Sequence, residues 1–72
     1  MSLQVKFGLA VKSLRTKKGY SQEAFAGKVG LHRTYIGMIE RGEKNITLKN
    51  IEKICRAIPI PVVELFALIA KK

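Results

Sequence analysis

The run His32-Arg33-Thr34-Tyr35 places four hydrogen-bonding side chains in a row, just ahead of Ile36 and Ile39, which open an apolar helical pattern. A guanidinium carries a planar fork of donors, a hydroxyl both donates and accepts, and a phenol reaches far from its backbone. Aimed outward from the first turn of a helix, these groups suit the reading of a polar surface rather than bond cleavage. Nothing else in the chain is arranged for catalysis. Paired carboxylates at suitable positions and a phosphate-cradling glycine loop are lacking, and the lone His32 and lone Cys55 fall in separate elements. With one His, one Cys and no Asp, an ordinary zinc site is excluded, and no cofactor is expected.

Charge narrows what that surface could be. Fourteen Lys and Arg stand against 5 Glu, a net of +9, which favours polyanions such as nucleic acid or an anionic membrane surface. The longest apolar run is far too short to span a bilayer. The basic residues are not gathered on one long amphipathic helix, so a membrane-surface role is disfavoured. The opening MSLQVKFG lacks the apolar core of a signal peptide. A soluble, reducing, cytoplasmic setting in a prokaryote is expected. The length of 72 residues predicts one domain over 1–72. So small a domain hides only about 60% of its unfolded surface. A lone Cys excludes an internal disulfide, which leaves a helical core and a partner subunit as supports.

Five short helices joined by tight turns must position these residues. From Leu3 to Lys18, the apolar stripe is Leu3, Phe7, Ala10, Val11 and Leu14, and Gly19 can take the left-handed cap. Ser21 is the expected N-cap of a second helix, with Glu23 near its positive end and Phe25, Ala26 and Val29 facing inward. Gly30 ends it. After the turn Gly30-Leu31-His32, a third helix runs to about Arg41, and Gly42 stops it. Thr47 is the N-cap of a fourth helix whose apolar face is Leu48, Ile51, Ile54, Cys55 and Ile58. Pro59-Ile60-Pro61 breaks that helix, and Pro61 can open the fifth, Val62 to about Ala70. Gly8, Gly27 and Gly37 lie inside these helices, each costing up to about 1 kcal/mol against Ala. Gly37 reads as a locally loose residue, and the three together point to reliance on a partner subunit. The reading is an all-α five-helix bundle.

Two helices joined at a steep angle by a turn of about three residues form a helix-turn-helix, here about residues 21–41. Ala26 must be small for the third helix to approach, Gly30 sits where positive φ is needed, and Ile36 and Ile39 fix the third helix against the second. Residues 9–66, and above all LRTKKGYSQEAFAGKVGL and RTYIGMIERGEKNITL, resemble the phage Cro/repressor helix-turn-helix family, whose domains are lambda-repressor-like. The second stretch, with Arg-Thr-Tyr-Ile, Ile-Glu-Arg-Gly and Asn-Ile-Thr-Leu, is similar to the controller proteins of restriction–modification systems. That resemblance implies a homodimer on a roughly palindromic duplex operator, regulating the endonuclease gene and its own gene. A phage-type repressor and an autoregulating antitoxin are the alternatives.

The third helix then becomes a recognition helix whose first residues reach base edges in the major groove. Arg33 can make two hydrogen bonds to guanine O6 and N7, and Thr34 can bond a base or pack on a thymine methyl. Tyr35 either reaches the sugar-phosphate backbone or covers the edge of the core. The resemblance implies phosphate contacts for Gln22 and Asn45, with Lys44 and Lys49 flanking the latter. Arg41 belongs to that set or pairs with Glu43. His32 stands where the family has a better N-cap, so it is either a weak cap or a contact to base or phosphate. The resemblance also implies a structural ion pair between Arg15 and Glu40.

The fifth helix carries Val62, Val63, Leu65, Phe66, Leu68 and Ile69, more apolar surface than one core-facing side needs. Val62, Val63 and Phe66 are expected on the core, leaving Leu65, Leu68 and Ile69 with Ile60 as a dimer interface within about residues 60–70. Cys55 reads as a buried apolar thiol. Activation would need a surface that touches RNA polymerase, for which Glu23 and Glu43 are the acidic candidates.

Overall fold

A computed structural model describes residues 1–71. Five helices follow one another: α1 (Leu3–Lys17), α2 (Gln22–Val29), α3 (Arg33–Glu40), α4 (Leu48–Ala57) and α5 (Val62–Ala70). The starts of α1, α2 and α4 follow from side-chain capping of otherwise unpaired backbone amides. Ser2, Ser21 and Thr47 accept from the amides of Val5, Ala24 and Asn50. Gly30 ends α2 with φ of +87°, a left-handed conformation that Gly adopts at little cost. Pro61 is the N-cap of α5 rather than its first helical residue, which is Val62.

The core runs through all five helices. Val11, Phe25, Ile36, Ile54 and Leu65 are its largest fully buried side chains, and Cys55 lies among them, where burial pushes its thiol pKa up. Helix α1 packs on α3 and α5, α2 packs on α3 and α4, and α4 packs on α5. Two ends of the expected apolar stripes fall outside this core. Leu3 and Leu48 are exposed, the latter by 84%. Each is the first residue of its helix. Because side chains tilt toward a helix N-terminus, both project past the neighbours that cover the rest of the stripe.

The facing of α5 is the larger correction. Leu65 is 0% exposed and Ile69 is also buried, whereas Val63 is 80% exposed and Val62 is on the surface. Leu65 and Ile69 are four residues apart and so share the side that meets α1 and α4. Phe66 is half-buried beside them, its ring 6.0 Å from that of Phe7. Leu65 and Ile69 are therefore core residues of the monomer, not surplus surface.

The glycine at position 8 is more than a helix-propensity cost. A Cβ there would overlap the Ile39 carbonyl oxygen and lie 2.7 Å from that of Glu40. Helix α1 thus crosses the end of α3 at backbone contact, which only Gly permits. Gly27, by contrast, faces open space. Gly8→Ala is expected to cost about 1–3 kcal/mol through overpacking, and Gly27→Ala to gain up to about 1 kcal/mol from helix propensity. Urea denaturation followed by circular dichroism, at one protein concentration, measures both. Equal effects at the two positions would contradict the close crossing.

Candidate nucleic-acid interface

Helices α2 and α3 meet across the turn Gly30-Leu31-His32. The amides of Gly30 and Leu31 both donate to the Ala26 carbonyl, at 2.8 and 3.0 Å, closing α2 and reversing the chain. Ala26 is buried at the junction with Phe25, Val29, Ile36 and Ile39. Any larger residue at 26 would push α3 outward. The apolar contacts set the angle of α3, and its first residues are left on the surface.

His32 caps α3: its Nδ1 accepts from the Thr34 amide at 3.1 Å. This requires an imidazole with a bare Nδ1, since a protonated nitrogen cannot accept. Arg33 and Thr34 follow on the exposed first turn. Arg33 donates from Nη1 to Glu23 Oε2 at 2.9 Å, reaching from α3 to α2. Tyr35 is half-buried against the core, and its hydroxyl accepts from Asn50 Nδ2 at 3.1 Å. Its ring does cover the core edge, and the hydroxyl keeps a hydrogen to donate. Asn50 has no counterpart in the sequence analysis. Its bond draws the first turn of α4, with exposed Lys49, to the first turn of α3.

A buried ion pair holds α3 from behind. Arg15 donates from Nε to Glu40 Oε2 at 2.7 Å and from Nη2 to Glu40 Oε1 at 3.1 Å. The third nitrogen, Nη1, donates to the Tyr20 carbonyl at 2.7 Å. The two side chains are only 9% and 2% exposed, so this pair stands apart from the surface pairs of the molecule. Gln22 Nε2 adds a 2.9 Å bond to Glu40 Oε1. Gln22 is thus tied to the structural pair, with one amide hydrogen and its Oε1 left for an outside partner. Gly37 makes room here: a Cβ on it would lie 3.2 Å from Arg41 Nη1 and 3.6 Å from Gln22 Oε1. It is buried between these side chains rather than merely a locally loose residue.

The loop between α3 and α4 is less unified. Arg41 forks onto Glu43 through Nε and Nη2, at 2.9 and 3.2 Å. This holds the Glu43 carboxyl below its ordinary pKa. Arg41 therefore pairs with Glu43. Asn45 Oδ1 accepts from Gln4 Nε2 of α1, which leaves the Nδ2 hydrogens of this exposed residue for an outside partner. Lys44 is exposed beside it. Among the described residues no three His, Cys, Asp or Glu are grouped as a metal would need, and no helix is long and apolar enough to cross a membrane.

A helix-turn-helix family model matches residues 11–65. The chain belongs to the helix-turn-helix family. It is a sequence-specific DNA-binding regulator with the five-helix, lambda-repressor-like arrangement. Control protein C.MunI of Mycoplasma sp is 42% identical over 71 residues, covering 97% of this chain and 96% of its own. The restriction–modification controller protein C.AhdI from Aeromonas hydrophila is 49% identical, with a TM-score of 0.84 over 88% of this chain and 91% of its own. The controller protein C.Esp1396I, solved as a tetramer in complex with its natural 35 base-pair operator, is 37% identical, with a TM-score of 0.90 over 99% of this chain and 93% of its own. Within the helix-turn-helix family, this chain closely matches the controllers.

The buried pair makes a sharp energetic expectation. Arg15→Met strands Glu40 and is expected to cost about 3–5 kcal/mol, whereas Arg15→Met combined with Glu40→Leu should recover most of that loss. Denaturant titrations of the single and double variants check it. Equal losses in both would mean that packing, not stranded charge, dominates.

Proposed function

We propose that this chain is a homodimeric controller of a restriction–modification system, binding a roughly palindromic operator to regulate the endonuclease gene and its own. The observation that carries the reading is the match to C.MunI, which at 42% identity extends over 97% of the chain and so takes in α5 as well as the helix-turn-helix. Arg33 and Thr34 read base edges from the first turn of α3. Gln22 and the Tyr35 hydroxyl meet phosphates with the groups that their internal bonds leave free, and Lys44, Lys49 and Asn45 add to the backbone contact. His32 serves as the cap of α3. Action takes place in the bacterial cytoplasm. A polymerase contact draws no support from the acidic candidates, because Glu23 and Glu43 are both engaged by arginines.

The dimer face proposed is the one that folding leaves open. Leu48 and Val62 line a groove with Ile51 and Phe66, and Leu3 and Ile46 line an adjoining groove with the same Ile51 and Phe66. Ile60 lies beside Val62 in another shallow groove. Leu68 is separate, lining a groove against Ala10 and Leu14 of α1. An open apolar face of this kind is costly to leave in water and is covered by a second copy.

Selection from a randomised duplex library at near-physiological salt tests the function. It should enrich a roughly palindromic site with half-sites about 10 base pairs apart. Salt-sensitive binding without enrichment would overturn the reading. Arg33→Ala is expected to relax preference at one base pair per half-site and to cost about 1–3 kcal/mol. A uniform loss across all sequences would remove its base-reading role. Val62→Glu should yield folded monomers in light scattering, whereas Leu65→Glu should unfold the chain, because Val62 lies on the open face and Leu65 in the core. A persistent Val62→Glu dimer would move the interface elsewhere.

A further inference from the structure

We infer that Glu23 is a specificity-determining residue of the recognition surface, acting as a positioning residue that aims Arg33 at its base. The inference rests on the base-reading role of Arg33 proposed above. Glu23 lies in the first turn of α2, and its Oε2 takes one hydrogen bond from Arg33 Nη1, at 2.9 Å, across the helix-turn-helix. The two side chains are 65% and 75% exposed, so the pair adds little to stability. Its geometry differs from that of the fork between Arg41 and Glu43, where two guanidinium nitrogens are used up two residues apart in sequence. Here only Nη1 is engaged. The Nε–Nη2 edge stays open, and that edge can form two parallel hydrogen bonds with guanine O6 and N7 while Nη1 stays on Glu23.

The placement of Glu23 carries an electrostatic cost. In a chain of net charge +9, Glu23 puts a carboxylate beside a base-reading arginine, where DNA phosphates must approach. That charge weakens binding to every duplex alike. It also stops Arg33 from swinging onto the nearest phosphate, a contact that would strengthen nonspecific binding and lose the base. A flexible arginine tethered at one nitrogen gives up less freedom when the other edge meets its base. Glu23 therefore trades general affinity for discrimination.

Two variants separate this from simple charge repulsion. Glu23→Ala removes both charge and tether. Glu23→Asp keeps the charge in the same helical turn but is one methylene too short to hold the guanidinium. The probes are the duplex enriched by the wild-type protein, the same duplex changed at the base pair whose preference Arg33→Ala abolishes, and an unrelated duplex. Affinities are measured by fluorescence anisotropy, with circular dichroism melting to show that each variant is folded. Glu23→Asp should lose about three- to fivefold in discrimination at that base pair with little change on the unrelated duplex. Glu23→Ala should lose as much while binding the unrelated duplex more tightly. Neither change should alter discrimination when Arg33 is already Ala. The inference is overturned if Glu23→Asp discriminates like wild type, if Glu23→Ala strengthens all three duplexes equally, or if the effect persists without Arg33. Failure of Arg33→Ala to relax any base pair sinks the base-reading proposal itself, and this inference with it.

Discussion

The bond between Arg15 and Glu40 is the constraint on which the recognition surface depends. Helix α3 has only eight residues, too few to hold its shape unaided. Its apolar side is anchored by Ile36 and Ile39, but two contacts on a short rod leave it free to roll. Glu40, at its C-terminal end, is clamped by two nitrogens of Arg15 from α1, and the third nitrogen ties in the Tyr20 carbonyl ahead of α2. One guanidinium thus joins α1, the α1–α2 connection and α3. The backbone crossing at Gly8 brings α1 near enough for this to happen. A buried charge pair is weak as a source of net stability, yet demanding about geometry. Here that demand fixes the direction in which Arg33 and Thr34 project.

The same cluster reaches the surface through Gln22. Its amide nitrogen bonds to Glu40, and the residue opens α2, where unpaired backbone amides and the helix dipole attract anions. A phosphate there would touch a side chain already fixed by the pair that fixes α3. On the opposite side, Tyr35 and Asn50 link the first turns of α3 and α4. The recognition turn is held from the back, from α2 and from α4 before DNA arrives, so little ordering remains to oppose binding.

How much of this was legible in the sequence varies by residue. Helix limits largely were, because Ser21 and Thr47 announce caps and Gly30 announces a stop, all local effects of a few residues, whereas the capping role of His32 was left open between a weak cap and a DNA contact. The pair of Arg15 and Glu40 was legible only through family resemblance, since 25 residues separate its members. The facing of α5 was misread. With apolar residues at seven of eight consecutive positions, periodicity selects no side, and only packing against α1 and α4 assigned Leu65 and Ile69 to the core. Leu3 and Leu48 failed for a related reason: a stripe drawn on a helix does not show where its neighbours end. Gly8 looked like a propensity defect because propensity is a property of one helix, whereas its role comes from another helix's carbonyls. The bonds of Glu23 to Arg33 and of Asn50 to Tyr35 join residues with no sequence pattern between them.

The proposed recognition surface is tested most sharply by a heteronuclear NMR titration of the labelled protein with a duplex carrying its selected site. Amide shifts should concentrate at the first turns of α2, α3 and α4 and in the loop at residues 43–45, with Gly8, Arg15 and Glu40 little changed because they are ordered beforehand. Shifts centred instead on the basic groove of Lys28, Lys53 and Arg56, at the far ends of α2 and α4, would show that DNA lies on another face and would contradict it.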